Sequence, residues 1–532
     1  MIRREAILLG QLAIASMAIA CGDEGGGGGT GGTGQAGAGT GNLGGSVTAG
    51  TGGSSSGGTG GASGAGGSSG KTGSGGTGGA GATGGSAGAN AGRGGSSGSS
   101  GGTDAQGGSA GTNAGTGGTA GSTAGTGGTA GTGTTSCTIS ATHEISSAIG
   151  TVGIVTWTTD LPSVTSARIE FGLDTTYGMQ APVDLMEADY RTLLLGMKPT
   201  REYHYRIVAQ SDSGECASED YTITTNALPN SLPDMNVTGT GTGFLHSCFF
   251  GLMGGGPRGA FILDADGDYV WYGGTGEMGR AIIHPDNKYM YYASVSPQGT
   301  GGTMRRIRLD GTGEEDLGSD FSGIHHDFTI LADGTVAFIR RVGADDWVAE
   351  WKDGTSQNLF NATEMFGAGN PHVNSIHYHP EDDSYTLSDR NYNAYVKSTR
   401  AGVKQWKLGG SNSSFTGDVT WSVNHGHQMI GDTGILFFNN GSNGQSRAIE
   451  LTLDLDTMVA TEVWDYDPDV SSSVLGDVQI LENGNRVITF STSGVIDEID
   501  PDKNVVQSIE FDAGGAVGYA TKRLSLYGPQ PR

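Results

Sequence analysis

Positive charge is scarce in this 532-residue chain: 29 lysines and arginines face 55 aspartates and glutamates, a formal net charge of −26. The excess falls almost wholly in the C-terminal portion. It argues against nucleic acid as a partner, because a polyphosphate backbone needs a basic face. An anionic small molecule stays admissible only where a local cluster of Arg and His reverses the field. Long apolar runs are also lacking. The run from Ala6 to Ile19 is too short to cross a bilayer comfortably, and no later segment reads as transmembrane. Residues 22–136 contain no proline and no strict Gly-X-Y period, which excludes collagen. Of the four cysteines, none sits in the Cys-x-Pro-x-Arg context that a formylglycine sulfatase needs. Gly254–Gly259 lacks the Lys-Ser/Thr ending of a phosphate-binding loop. Asp264-Ala265-Asp266-Gly267-Asp268 opens like a calcium loop, but its twelfth position is Thr275 instead of Glu. A hairpin turn is the simpler reading there.

What is present begins with a targeting segment. Arg3 and Arg4 precede the apolar run, and Ala18-Ile19-Ala20 lead to Cys21. Residues 1–21 resemble a bacterial lipoprotein signal, with Ala18 where Leu is usual. The resemblance implies lipidation of Cys21 and a place in the cell envelope: outer membrane, cell surface or periplasm. An ordinary cleaved signal would export the chain as well. Residues 22–136, repetitive in Gly, Thr, Ser and Ala, cannot bury a core and read as a disordered tether.

Residues 137–227 hold alternating segments at Gly153–Thr158, Ser166–Phe171, Glu202–Gln210 and Glu219–Thr225, the pattern of a small β-sandwich. Leu193-Leu194-Leu195-Gly196-Met197-Lys198-Pro199-Thr200 followed by Tyr203-His204-Tyr205-Arg206-Ile207 resembles a fibronectin type III domain, with Trp157 as its core tryptophan. Cys137 and Cys216 lie near opposite ends of this unit. Export makes a disulfide between them the expectation. Cys248 is left as an odd thiol, and no constellation of catalytic residues falls in this module.

Residues 233–532 show many short strands and no helical period. A weak repeat of strand, turn and strand recurs at Phe261–Tyr272, Thr329–Arg340, Ser375–Arg390, Gln428–Asn439 and Val478–Phe490, with Asp-Gly or Asn-Gly in the turn of the first, second and last. The spacing, on the order of 50 residues, is a propeller blade, and the span allows about six. The expected fold is therefore all-β: a six-bladed β-propeller behind a sandwich and a tether. Aligned without gaps, His326-Asp327-Phe328, His372-Val373-Asn374 and His425-Gly426-His427 superimpose. Equivalent positions on adjacent blades converge on the central channel. Strand alternation then adds Asn374 and His427 to the channel set. His377 and His379 lie past that register and read as surface residues.

These residues carry a family resemblance. His325-His326-Asp327, Leu331-Ala332-Asp333-Gly334-Thr335-Val336, Pro371-His372-Val373-Asn374-Ser375-Ile376, Ser388-Asp389-Arg390, Trp406-Lys407-Leu408-Gly409-Gly410, Asn424-His425 and Phe438-Asn439-Asn440-Gly441 resemble, in order and spacing, the bacterial arylsulfotransferase family. The resemblance implies a six-bladed propeller that moves a sulfuryl group from a phenolic sulfate donor to a phenolic acceptor through a sulfohistidine, independently of PAPS. His425 would be the nucleophile, His372 and Arg390 the sulfate-binding pair, and His326 or its neighbour His325 the remaining active-site histidine. Here Asn424 replaces the usual Gln before the nucleophile, and Gly426 the usual acidic residue after it. The residue types suit the chemistry. Sulfuryl transfer spreads charge over three oxygens and needs fixed positive donors, which Arg390 offers as a fork. A neutral imidazole can attack sulfur directly, and a leaving phenol of pKa about 10 needs little acid help. No step calls for a metal or soluble cofactor. Three histidines could instead bind zinc, though an arginine among them would repel the cation. The rival functions are a non-catalytic surface-adhesion propeller, and a hydrolase or lyase acting on sulfated or other acidic material.

Overall fold

The computed structural model describes residues 137–250, 257–276, 278–294, 302–367, 369–512 and 516–528. The signal segment, Cys21, the 22–136 tether and residues 254–256 lie outside them.

Residues 139–224 form two antiparallel sheets. One contains Ile139–Ile145, Gly153–Thr159 and Thr192–Leu194. The other is built on Val164–Gly172 and Glu202–Ser211. Between them Val155, Trp157, Ile169, Phe171, Tyr203, Tyr205 and Ile207 alternate inward along their strands and make the sandwich core. Cys137 and Cys216 stand opposite each other with Cα atoms 6.2 Å apart, within disulfide reach.

From residue 235 onward the chain makes six sheets of four or five antiparallel strands, a six-bladed β-propeller. Blades 2 to 5 are each built from four consecutive strands. They start with Met278–Ile283, Ile324–Ile330, Val373–His379 and Asn424–Ile430 respectively. Blade 6 runs from Asp477–Ile480 to Val505–Phe511 and takes Met235–Gly239 as a fifth strand, with Val237 opposite Ile509. Blade 1 holds Phe244–Phe250, Gly259–Leu263 and Tyr269–Gly273. The chain's end joins it, with Val517 opposite Phe249 and Lys522 opposite Leu245. The ring is thus closed twice, once by each end of the propeller segment.

The packing explains the sequence pattern. Apolar clusters sit between successive blades, such as Ile282, Tyr291, Phe328 and Phe338 between blades 2 and 3 and Phe438, Val478, Ile488 and Phe490 between blades 5 and 6. A blade's middle strands are covered on both faces, so Val336-Ala337-Phe338-Ile339 and Ile435-Leu436-Phe437-Phe438 are continuous apolar runs without alternation. Ile149, Val152 and Leu195 of the sandwich join the cluster between blades 1 and 2, so the sandwich is docked on the ring. Asp264–Asp268 does form the hairpin turn expected of it. Its cation is internal: the Lys198 ammonium from the sandwich lies 3.1, 2.7 and 2.7 Å from the carboxylates of Asp264, Asp266 and Asp268. A cleft of about 300 Å³ separates the two modules near Arg191 and Lys288, whose charges pair with Asp310 and Glu187.

Candidate functional site

The first strand of each of blades 2 to 5 carries a β-bulge near its start. The register slips between Met278 and Ala281, Ile324 and Phe328, Val373 and Ser375, and Asn424 and His427. Bulges re-aim side chains and break strict alternation. Here they gather His325, His326, His372 and His425 from blades 3, 4 and 5. The His326 and His372 rings meet edge to face, 4.7 Å between centroids. His326 has a left-handed backbone (φ 57°), uncommon for a residue with a Cβ.

His425 is 2 % exposed. Its Nδ1 lies 2.6 Å from Asn440 Oδ1. The Asn440 amide nitrogen donates to the carbonyls of Ser472 and Leu475 at 2.7 and 2.8 Å, which fixes Oδ1 as the acceptor. The His425 proton therefore sits on Nδ1 and the lone pair on Nε2. Burial, with the nearby Arg390 charge, lowers this histidine to about 4 despite the Asn440 bond. At neutral pH it is an uncharged imidazole, and the Val423 carbonyl makes a second contact with its ring.

His372 is half-buried, and burial followed by the Arg390 charge lowers it to about 3. Asp389 ties its surroundings together. The carboxylate accepts the backbone N–H groups of His372, Asn391 and Tyr392 at 2.9 to 3.0 Å and so fixes the turn that carries Arg390. Burial nevertheless pushes Asp389 up to about 7. The two cations close enough to bear on the imidazoles are Arg390 and Arg341. Both belong to the site, and Arg341 is paired with the buried Asp346 carboxylate at 2.6 Å.

Two expected channel residues are corrected. His427 is fully buried, with Nδ1 2.9 Å from Ser375 Oγ and Nε2 2.8 Å from Thr386 Oγ1. Neither nitrogen is available to a substrate. Asn374, also sealed, gives its amide nitrogen to the Asn424 carbonyl at 2.8 Å. The alternation that placed both in the channel is broken by the bulges at 373–375 and 424–427. His325 is 1 % exposed, with both nitrogens engaged, so it stands behind His326 and does not line the site. His377 and His379 are not surface residues. His377 packs on His427 at 4.9 Å, and His379 Nε2 lies 2.8 Å from Thr386 Oγ1.

Arg280, on the first strand of blade 2, reaches to blades 3 and 6. Its Nε donates to Asp327 Oδ1 at 2.5 Å, its Nη2 lies 3.1 Å from Asp477 Oδ2, and its guanidinium stacks on Tyr519. This ion triad ties blades 2, 3 and 6. It also accounts for Gly426, since a Cβ there would come 2.1 Å from Asp477 Oδ1. The neighbouring blade's carboxylate occupies the space that a side chain after His425 would need. Cys248 is a buried thiol in blade 1, pushed up to about 12 by that burial.

Sequence reasoning missed Arg280, Arg341, Asp346 and the role of Asn440. Asn440 lay inside a quoted motif. Arg341 and Asp346 flank the Gly343-Ala344 turn as a cross-strand pair of opposite charge, a signal that was legible.

Residues 335–512, which contain His372, Arg390 and His425, match the family model for arylsulfotransferase (ASST). No curated protein matches the chain. In structure it is similar to TolB from Acinetobacter baumannii, with 12 % identity and TM-score 0.37 over 62 % of this chain and 80 % of that one. It is also similar to the periplasmic gluconolactonase PpgL of Pseudomonas aeruginosa (13 %, TM-score 0.35, 60 % and 94 %). A third is virginiamycin B lyase from Staphylococcus aureus (13 %, TM-score 0.34, 52 % and 87 %).

Proposed function

We propose, from the match of residues 335–512 to the arylsulfotransferase family model, that this chain moves a sulfuryl group from a phenolic sulfate ester to a phenolic acceptor through a sulfohistidine at His425. The observation that carries the reading is the tautomer lock. Asn440 holds the His425 proton on Nδ1, which leaves the Nε2 lone pair as a nucleophile in a site whose cations are Arg390 and Arg341.

In the donor half-reaction, His425 Nε2 bonds to sulfur as the sulfur–oxygen bond to the aryl group breaks. The leaving oxygen takes a proton from protonated His326, a state that burial and the neighbouring His372 disfavour and that the bound sulfate anion has to offset. In the acceptor half-reaction a phenol oxygen bonds to sulfur, the nitrogen–sulfur bond breaks, and the phenol proton returns to His326. Arg390, a planar fork that stays charged, receives the negative charge spread over the equatorial oxygens. Donor phenol leaves before acceptor enters, so the kinetics are ping-pong. Departure from the cytoplasm, a lipid on Cys21 and an oxidised Cys137–Cys216 pair complete the proposal.

The test is an aryl sulfate, p-nitrophenyl sulfate, with and without phenol. Nitrophenol turnover that requires phenol supports the reading. Steady release without phenol would instead make the protein a hydrolase, and no release would favour a binding module.

A further inference from the structure

We infer that Asp346 and His325 form a positioning relay that fixes His326 as the proton-transfer group for the acceptor phenol; the inference rests on the transferase reading above. Asp346 is the second residue of the third strand of blade 3, Asp345–Lys352, and is fully buried. Its Oδ1 lies 2.9 Å from His325 Nε2 and 2.6 Å from Arg341 Nε, and its Oδ2 accepts the Val373 N–H from blade 4 at 3.0 Å. Its own N–H donates to Thr363 Oγ1 at 2.8 Å. The carboxylate is thus held by two blades and has no freedom to turn.

Hydrogen-bond bookkeeping then determines both histidines. A carboxylate only accepts, so His325 Nε2 carries the proton. In neutral His325 the Nδ1 is therefore a lone pair. It lies 2.8 Å from His326 Nδ1, which must be the donor. His326 is left with its lone pair on Nε2, the nitrogen not engaged by the relay. Burial works against charge on Asp346, yet the His325 bond, the Arg341 charge and the Val373 N–H hold its carboxyl below the usual range. It stays an anion beneath the pair. When His326 takes the phenol proton on Nε2, the new imidazolium keeps its Nδ1–H on His325, and the Asp346 charge faces it through that ring. The same proton later protonates the phenoxide leaving the next donor, so no proton is gained or lost over a cycle.

Two features show that the arrangement is built for position. His326 sits at a left-handed φ of 57°, a strained conformation that persists only where surroundings enforce it. The bulge at 325–327 lets consecutive histidines meet at right angles, 85° between ring planes, one sealed and one half-buried.

The experiment uses His325→Phe and Asp346→Asn in the full chain and separates the half-reactions. Sulfo-enzyme formation is followed as the nitrophenol burst from p-nitrophenyl sulfate, whose acidic leaving group needs no proton. Sulfuryl release is followed with phenols of graded acidity. Both variants are expected to keep the burst within about 3-fold, which also shows that they fold. Transfer to phenol itself should fall roughly 100-fold, the scale of general acid–base assistance. The loss should shrink below about 3-fold for acceptors already ionised at the assay pH. Equal losses across all acceptors, no loss, or a burst abolished in both variants would overturn the relay. A wild-type protein that shows no burst would sink the transferase reading instead.

Discussion

Replacing Asn440 separates two duties that one side chain performs. Asn440 is 1 % exposed and joins blades 5 and 6: Oδ1 takes the His425 proton, and Nδ2 serves the Ser472 and Leu475 carbonyls. Asn440→Ala strands one imidazole N–H and one or two carbonyls in the interior. The Ser472 carbonyl keeps a bond from Ser446 Oγ at 3.1 Å, so its loss is the lightest. At about 1–3 kcal/mol for each stranded group, the folded state should lose roughly 2–6 kcal/mol. The lock on His425 is lost as well. One hydrogen bond to the reacting ring is worth about 1–2 kcal/mol, so sulfo-enzyme formation should slow roughly 5- to 30-fold. Asn440→Asp dissects the two. It retains an oxygen for His425 Nδ1 but turns its second oxygen toward two carbonyls, so stability falls while the tautomer survives. Urea melts give the stability, and the nitrophenol burst gives the rate. The expected order of burst rate is wild type, then Asp, then Ala. An Ala variant that sulfates at the wild-type rate while the Asp variant does not would refute the lock.

Three further outcomes follow from the geometry. Arg390→Lys keeps the charge and loses the fork, so donor binding should survive in part while turnover drops about 100- to 1000-fold in steady-state kinetics; an unchanged kcat would remove Arg390 from the transition state. Lys198→Met leaves three carboxylates of one turn facing each other without their shared ammonium. Differential scanning calorimetry should show the sandwich melting earlier with transferase activity retained, and an unchanged sandwich transition would mean that the contact does not couple the modules. Acid should destabilise the fold. His246, His372, His379, His425 and His427 are lowered by burial to between about 3 and 4, so the unfolded chain binds more protons from about pH 6.5 down to 4. Their contribution is complete above 6.5 and is lost as pH falls through that window. Asp389 and Asp477, raised by burial to about 7, act in the opposite sense but are fewer. Each net proton is worth about 1.4 kcal/mol per pH unit. Melting temperatures measured from about pH 7 to 5 should therefore fall; a rise would mean that these histidines are not held neutral.

The sequence disclosed the blades because turn chemistry repeats, and it misplaced one because turn chemistry is local. Thr329–Arg340, Ser375–Arg390, Gln428–Asn439 and Val478–Phe490 each lie on the first two strands of their blade, whereas Phe261–Tyr272 lies on the last two of blade 1. Its Asp-Gly turn answers to Lys198 of the sandwich and so falls at a different corner. The register of blade 1 is set by residues 516–523, which no local reading brings to residues 244–250. At the site, His326, His372 and His425 were legible as equivalent positions. His427 and Asn374 were misassigned because a bulge, invisible in the letters, adds a residue just where alternation was being counted. Arg280, Asp327 and Asp477 belong to three blades and meet only when the ring closes. The reason for Gly426 lies in the next blade's carboxylate, so nothing beside it in the chain reveals it.

The central claim is that His425 carries the sulfuryl group, and its most direct measurement is intact and peptide mass spectrometry of protein treated with donor alone. The account predicts one acid-labile sulfuryl adduct on the peptide containing His425, discharged by added phenol and absent from His425→Asn. A label on His372 or His427, or full transferase activity in His425→Asn, would contradict it.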